Sequence, residues 1–249
     1  MQGIIDIHCH ILPGIDDGAE TVKEAQEMLK MQYKDGVRKL ILTPHYRSGM
    51  FEPSVSQIYR SFYQLQAAAE DVGIQLYLGR EYHISSKFEE QVRLRNLPTM
   101  ADSSYVLAEF SSRHSYGFIR SSVEKMLDAG YRPVIAHIER YPCMYEKQRA
   151  EELCRMGAYV QVNAGSLLGE DDRPSRQYCR RLMEEDLIHF IASDAHGRKK
   201  RKPNLGKCSE FVLKKMGKEY ARKVFCHNPF MLIKNLEIKY GEKLWKRLN

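Results

Sequence analysis

The chain has 249 residues, 43% of them hydrophobic, and carries a formal net charge of +7 at pH 7. That length can bury one large core, and a single (β/α) barrel routinely needs about this much chain. No stretch approaches the roughly 18 apolar residues of a membrane span, and MQGIIDIHCH lacks the basic and apolar segments of a secretory leader, so a cytoplasmic location is expected.

Six cysteines (Cys9, Cys143, Cys154, Cys179, Cys208 and Cys226) are scattered without a CxxC pair. In such a chain they read as free thiols rather than as a disulfide framework. The positive charge is concentrated in residues 197–249, with sixteen Lys/Arg against four Asp/Glu. A basic stretch of this kind suits an anionic partner or a solvated face. No nucleic-acid-binding motif accompanies it, so nucleic acid is not an expected partner.

Along the chain, short apolar runs alternate with helical patterns. Ile4–His8 reads as the first strand. Thr21 and Glu24 fit a capping box, with Val22, Ala25, Met28, Leu29 and Tyr33 at helical spacing and Gly36 placed to end the helix. Strand Lys39–Thr43, helix Ser54–Val72 and strand Gln75–Gly79 follow, then strand Tyr105–Ala108, helix Gly117–Ala129 and strand Pro133–Ala136. Helix Tyr145–Met156, strand Ala158–Val162, helix Ser175–Glu185 and strand Ile188–Ala192 complete the series. Gly73, Gly130 and Gly157 each stand between a helical pattern and a strand, as C-terminal glycines do.

Repeated strand–helix units imply a parallel sheet with right-handed crossovers. Seven units favour one closed barrel over residues 1–249. The alternative, an open doubly wound sheet, would place a glycine-rich phosphate loop after the first strand; His8, His10 and Asp17 stand there instead.

Reactive groups of such barrels gather at the C-terminal ends of the strands. Those ends read His8-Cys9-His10, Thr43-Pro44-His45, Gly79-Arg80-Glu81, Ala108-Glu109, His137-Ile138-Glu139-Arg140 and Ser193-Asp194-Ala195-His196, while the sixth strand offers Asn163. Imidazoles and carboxylates ligate Mn, Fe and Zn ions, and this set exceeds the three protein ligands of one catalytic zinc. Two or three ions are expected, with Glu81 and Asp194 as candidate bridges. The i, i+2 spacing puts His8 and His10 on one face and turns Cys9 away. His189 has the wrong parity for the rim, and His83, His114 and His227 read as core or surface residues. Cys143 and Arg149 match the CxxxxxR pattern of cysteine phosphatases, but the bulky residues between them, with no glycine, do not suit a phosphate cradle.

This ordered series resembles the PHP (polymerase and histidinol phosphatase) family. Within it, DIHCHILPGIDDGA, TPHY, GREY, LAEF, IAHIERY and SDAH resemble the capsule-type (CpsB/YwqE-type) bacterial tyrosine phosphatases. The resemblance implies an α/β fold, a distorted (β/α)7 TIM-like barrel of PHP type, with a trinuclear cluster that is often manganese; Fe, Zn or Mg are alternatives. One ion would be held by His8, His10, Glu81 and Asp194, a second by Glu81, Glu109 and His137, and a third by His45 and His196 with Asp17 nearby, Asp17 being chosen over Asp16. Arg140 and Arg201 match the family's phosphate-binding arginines. The implied reaction is hydrolysis of phosphotyrosine by a hydroxide bridging the metals, on the tail of a bacterial tyrosine kinase that governs capsule or exopolysaccharide export, with Asp17 a candidate proton donor. A PHP phosphatase for a small ester such as histidinol phosphate would share the barrel and metals. An amidohydrolase would add a mid-barrel lysine, where Glu81 and Glu109 stand here, and a non-catalytic PHP module would have shed ligands.

Overall fold

The computed structural model describes residues 1–85, 88, 92 and 97–239. All seven expected strands are present: β1 (Ile4–Cys9), β2 (Val37–Leu42), β4 (Gln75–Leu78), β6 (Tyr105–Glu109), β7 (Arg132–Ile135), β8 (Tyr159–Asn163) and β9 (Phe190–Ala192). Two short strands were not expected, β3 (His45–Tyr46) and β5 (Glu81–His83). They resume β2 and β4 after a break, at Thr43-Pro44 and Gly79-Arg80 respectively. Proline has no N–H to give the ladder, and a Cβ at Gly79 would lie 3.0 Å from Ile41. Each offset therefore delivers its ligand-type residue, His45 or Glu81, at the head of a new segment.

Among the described residues these nine strands pair in parallel, in the orders β1-β2-β4 and β3-β5-β6-β7-β8-β9. The ring closes at the rim, where Asp194 N–H donates to His8 O (2.9 Å) and His10 N–H to Ala195 O (2.9 Å). The result is a distorted (β/α)7 barrel.

The helices whose full span lies among the described residues are α1 (Val22–Lys34), α2 (Val55–Val72), α3 (Tyr116–Asp128), α4 (Arg149–Met156), α5 (Ala164–Leu168), α6 (Arg173–Glu184), α7 (Leu205–Arg222) and α8 (Asn228–Ile233). Ser54 and Gln57 form a complete capping box on α2. On α1 only half of the box forms: Thr21 accepts from Glu24 N, while the Glu24 carboxylate accepts from Glu20 N. Helix α4 starts four residues later than its apolar spacing suggests, because Gln148 sits at φ 77° and cannot be helical.

Strand alternation sorts the core into two layers. Ile5, Ile7, Ile41, Tyr105, Leu107, Val134, Tyr159 and Phe190 fill the barrel, and a larger cluster lies between sheet and helices. Continued up the strands, the inward parity leads from Leu107 to Glu109, from Tyr159 to Gln161 and Asn163, and from Phe190 to Asp194. On β1 a register shift between Asp6 and Cys9 reverses the sides. Ile7 faces the barrel interior, Cys9 joins the outer cluster with its Sγ 3.6 Å from Ile41 O, and His8 and His10 turn inward. Past the seven units, α7 buries Leu205, Cys208 and Val212, and Leu232 and Ile238 join the barrel-interior cluster. The basic C-terminal stretch is thus partly built into the fold, and its residues 240–249 lie outside the described ones.

Candidate metal centre

The strand ends bring His8, His10, His45, Glu81, Glu109, His137, Asp194 and His196 together, with Asp17 entering from the loop after β1. Donor atoms meet in four overlapping groups: His10, Asp17, His45 and His196; His8, Glu81 and His137; His8, His10 and Asp194; and His45, Glu81 and Glu109. Glu81 is the hub. Its Oε2 lies 3.1 Å from His8 Nε2, 3.2 Å from His10 Nε2 and 3.0 Å from His45 Nδ1, and its Oε1 lies 2.8 Å from His137 Nε2.

Four of the imidazoles are oriented by their outer nitrogen. His137 N–H donates to Gln161 Oε1 at 2.8 Å, which fixes that amide, so His8 Nδ1–H must donate to the same oxygen at 3.1 Å. His10 Nδ1 donates to Asp16 Oδ2 at 2.7 Å, and His196 Nδ1 to Asp194 O at 2.9 Å. Tyr141 commits its proton to Ala136 O, so His137 Nδ1 donates to the phenol oxygen at 3.2 Å. Each ring then turns its Nε2 lone pair inward, the state in which imidazole ligates a metal.

Those lone pairs meet too closely for neutral rings alone: His8 Nε2 and His10 Nε2 are 3.1 Å apart. Glu81 Oε2, Asp194 Oδ1, His45 Nδ1 and His196 Nε2 are buried without a hydrogen-bond partner. Buried polar atoms left unpaired are costly, and atoms of this chemistry converging on one space are what divalent cations satisfy. The residues present therefore fit a metal cluster.

Charge is balanced within the cluster itself. Burial disfavours a charged His10, but Asp16 and Glu81 outweigh it and raise its pKa to about 10. A bound cation would replace that proton and leave the ring in its neutral ligating form. Burial and the neighbouring His10 push His196 down to about 4. Burial would raise the Asp194 carboxyl, yet Arg140, His8 and Arg201 hold it well below the usual range. His137 (φ 30°) and Asp194 (φ 50°) both occupy the left-handed region, a strain that concentrates at functional sites.

Asp16 and Asp17 divide their work. The Asp16 side chain is fully buried and accepts from His10 Nδ1 and from His45 N at 2.9 Å. Asp17 is half exposed, with its Oδ1 3.4 Å from His45 Nε2 and 3.5 Å from His196 Nε2. Arg140 Nη2 (3.0 Å) and Arg201 Nη2 (2.7 Å) converge on Asp194 Oδ2, which also accepts from Asn163 Nδ2 at 2.8 Å.

Sequence reasoning passed over several of these residues. Gln161 looked like an interior strand residue, and only its parity with Asn163 marked it. His83, read as a core or surface residue, lies at the rim with its Nδ1 3.1 Å from Glu109 Oε2; its signal was the two-residue step from Glu81. Cys143 lies on a short 3₁₀ turn with its thiol pushed up by burial, and Arg149 donates to the Cys143 carbonyl, so no phosphate cradle forms there.

Residues 4–234 match the family model for capsular polysaccharide synthesis, CpsB/CapC. The chain belongs to the CpsB/CapC family. Among curated members, it is 35% identical to the tyrosine-protein phosphatase CpsB of Streptococcus pneumoniae over 92% of its own length and 98% of that protein. Its identity to the tyrosine-protein phosphatase YwqE of Bacillus subtilis is 33%, over 94% of this chain and 91% of that one. A solved structure from work on YwqE and CpsB, described as unique metal-dependent tyrosine phosphatases, superposes with TM-score 0.87 at 32% identity, covering 96% of this chain and 97% of the other. The lactonase Lmo2620 of Listeria monocytogenes shares the CpsB/CapC barrel at TM-score 0.63 and 11% identity, a likeness of fold alone.

Proposed function

We propose that this protein is a metal-dependent protein-tyrosine phosphatase. The observation that carries the reading is the convergence of five imidazoles and four carboxylates, several of them buried and unpaired, beside two guanidinium groups. Relatives at 33% and 35% identity that match nearly end to end are named tyrosine-protein phosphatases.

In this reading His8, His10, His45, Glu81, Glu109, His137, Asp194 and His196, with Asp17, hold two or three divalent ions, and we propose manganese. Bound cations would supply Lewis acidity and an acidified water. The chain's own groups do the rest. Glu81 and Asp194 bring negative charge to the centre of the cluster. Arg140 and Arg201 wait at the rim on Asp194 Oδ2, where planar N–H pairs can take up phosphoryl oxygens as charge spreads over them. Asp17, half exposed at the mouth, is held in its ionised form by His196 and His45, so it would serve as a ligand rather than an acid and the departing tyrosinate would take its proton from water.

The substrate we propose is a phosphotyrosine protein, namely a bacterial tyrosine kinase of capsule or exopolysaccharide synthesis, dephosphorylated on its C-terminal tail in the cytoplasm. The capsule-synthesis family match and the six free cysteines support that setting. The test is kcat/KM on phosphotyrosine peptides, phosphoserine peptides and histidinol phosphate with added manganese. Phosphotyrosine should lead, and a chelator or His45→Ala should abolish turnover. A lead for histidinol phosphate would overturn the substrate, and full metal occupancy without hydrolysis of any phosphoester would overturn the enzyme.

A further inference from the structure

The segment that follows β3 folds back at once as a tight hairpin. Arg47 and Phe51 exchange both backbone hydrogen bonds at 2.8 Å, and Gly49 takes φ +79° at the turn. The hairpin therefore has a fixed position relative to His45, two residues before it. Its last residue, Phe51, lays its ring against the His45 imidazole, with centroids 5.6 Å apart and planes 14° from parallel. Phe51 is half-buried, and Met50 at the tip is 61% exposed. Among the described residues, the others named around the cluster's open side are polar or charged: Asp17, His83, Glu109, Arg140 and Arg201. An apolar ring at this point is thus out of keeping with its surroundings.

We propose that Phe51 is the wall against which the phenyl ring of phosphotyrosine lies, so that it selects aryl over alkyl phosphate esters at this centre. The inference rests on the phosphotyrosine reading above. A phosphoryl group held by the cluster and the two arginines leaves its ester oxygen pointing outward, and the first atoms beyond that oxygen fall beside the rings nearest the cluster. Phe51 stacks directly on one of those rings. An aryl group there gains offset or edge contact with Phe51 and removes apolar surface from water, whereas the short side chain of phosphoserine does not reach it. The competing role for Phe51 is to shield and orient His45, which would affect every substrate equally.

The experiment compares wild type, Phe51→Ala, Phe51→Leu and Phe51→Tyr, each loaded with manganese. Its readouts are metal content, Tm, binding of phenylphosphonate and methylphosphonate by calorimetry, and kcat and KM on a phosphotyrosine peptide. In Phe51→Ala, phenylphosphonate binding should weaken about ten-fold, the order expected for loss of one aromatic contact. The phosphotyrosine KM should rise to match, with kcat, metal content and methylphosphonate binding unchanged. Phe51→Tyr should behave as wild type, and Phe51→Leu, which keeps bulk and fold, should fall between. Equal weakening of both phosphonates, or loss of metal, would assign Phe51 to supporting His45 and overturn the proposal. Unaltered aryl preference in Phe51→Ala and Phe51→Leu would overturn it while leaving the phosphatase reading intact. A wild type that hydrolyses histidinol phosphate in preference to phosphotyrosine would instead overturn the reading on which it rests.

Discussion

Gln161 holds two rim residues with one oxygen, the His8 ring and the His137 backbone, and its amide group passes the chain of bonds on to Asn163 and so to Asp194. Groups that orient ligands in this way commonly account for 10–100-fold in metal affinity. Gln161→Leu should therefore weaken manganese binding by about that factor, read by calorimetry or by metal retained after dialysis, with the fold intact by circular dichroism. His83→Ala, which frees Glu109 Oε2 to rotate, should weaken binding by about ten-fold, and His83→Asn should recover part of it. A further histidine, His189, predicts a pH effect far from the rim. His189 is buried, accepts from Val160 N and is pushed down to about 3 by burial and by Lys223. Its folded pKa lies below the unfolded value near 6.5, so the unfolded chain binds the extra proton between the two. The stability it contributes is present above about pH 6.5 and is lost as pH falls toward 3. Tm should drop across that window, and less steeply in His189→Asn. The convergence of the rim imidazoles and carboxylates was legible because these residue types recur at successive strand ends, a pattern that metal binding would need and core packing does not. Gln161, His83 and Phe51 were not, because an amide, a lone imidazole or a loop aromatic is ordinary until its neighbours are known.

At the scale of elements, strand positions were legible from apolar runs, whereas the offsets that split β2 from β3 and β4 from β5 were not. Those depend on how Pro44 and Gly79 meet adjacent strands. The late start of α4 had the same kind of cause, since a single backbone dihedral at Gln148 overrode a good helical pattern. The loop of residues 11–20 shows how tightly an element can be specified. It folds back so that Ala19 N–H donates to His10 O, and a Cβ on Gly18 would stand 2.0 Å from that same oxygen. Gly18→Ala should cost about 1–3 kcal/mol by overpacking, seen as a lower Tm, and should reduce metal content because His10 must shift.

Across the molecule, part of the positive charge that suggested an anionic partner is paired within the chain. Lys207 pairs with Glu170, Lys223 with Asp186, and Arg198 with Glu24 and Glu27. What dominates whole-molecule behaviour in this reading is the cluster, whose ligands come from every part of the barrel. Manganese bound to the folded state alone should raise Tm in a concentration-dependent way, by about 2.7 kcal/mol of stability at a hundred-fold excess over Kd. A chelator should reverse the shift, and no change in Tm would argue against binding at this site.

The joint between the first strand and the end of the last also governs when the molecule can come into being. His8 and His10 leave the ribosome early, yet they gain Asp194 and His196 only after some hundred and eighty further residues. Backbone bonds from Asp194 and His10 close the ring at the same moment. A nascent or truncated chain ending before β9 would hold His8, His10, His45 and His137 but lack Asp194 and His196, and its Asp6 would be without the Ser193 partners it has in the barrel. If these residues hold the metals, the complete cluster is tied to completion of the barrel, because Asp194 and His196 join the other candidate ligands only when β9 is in place.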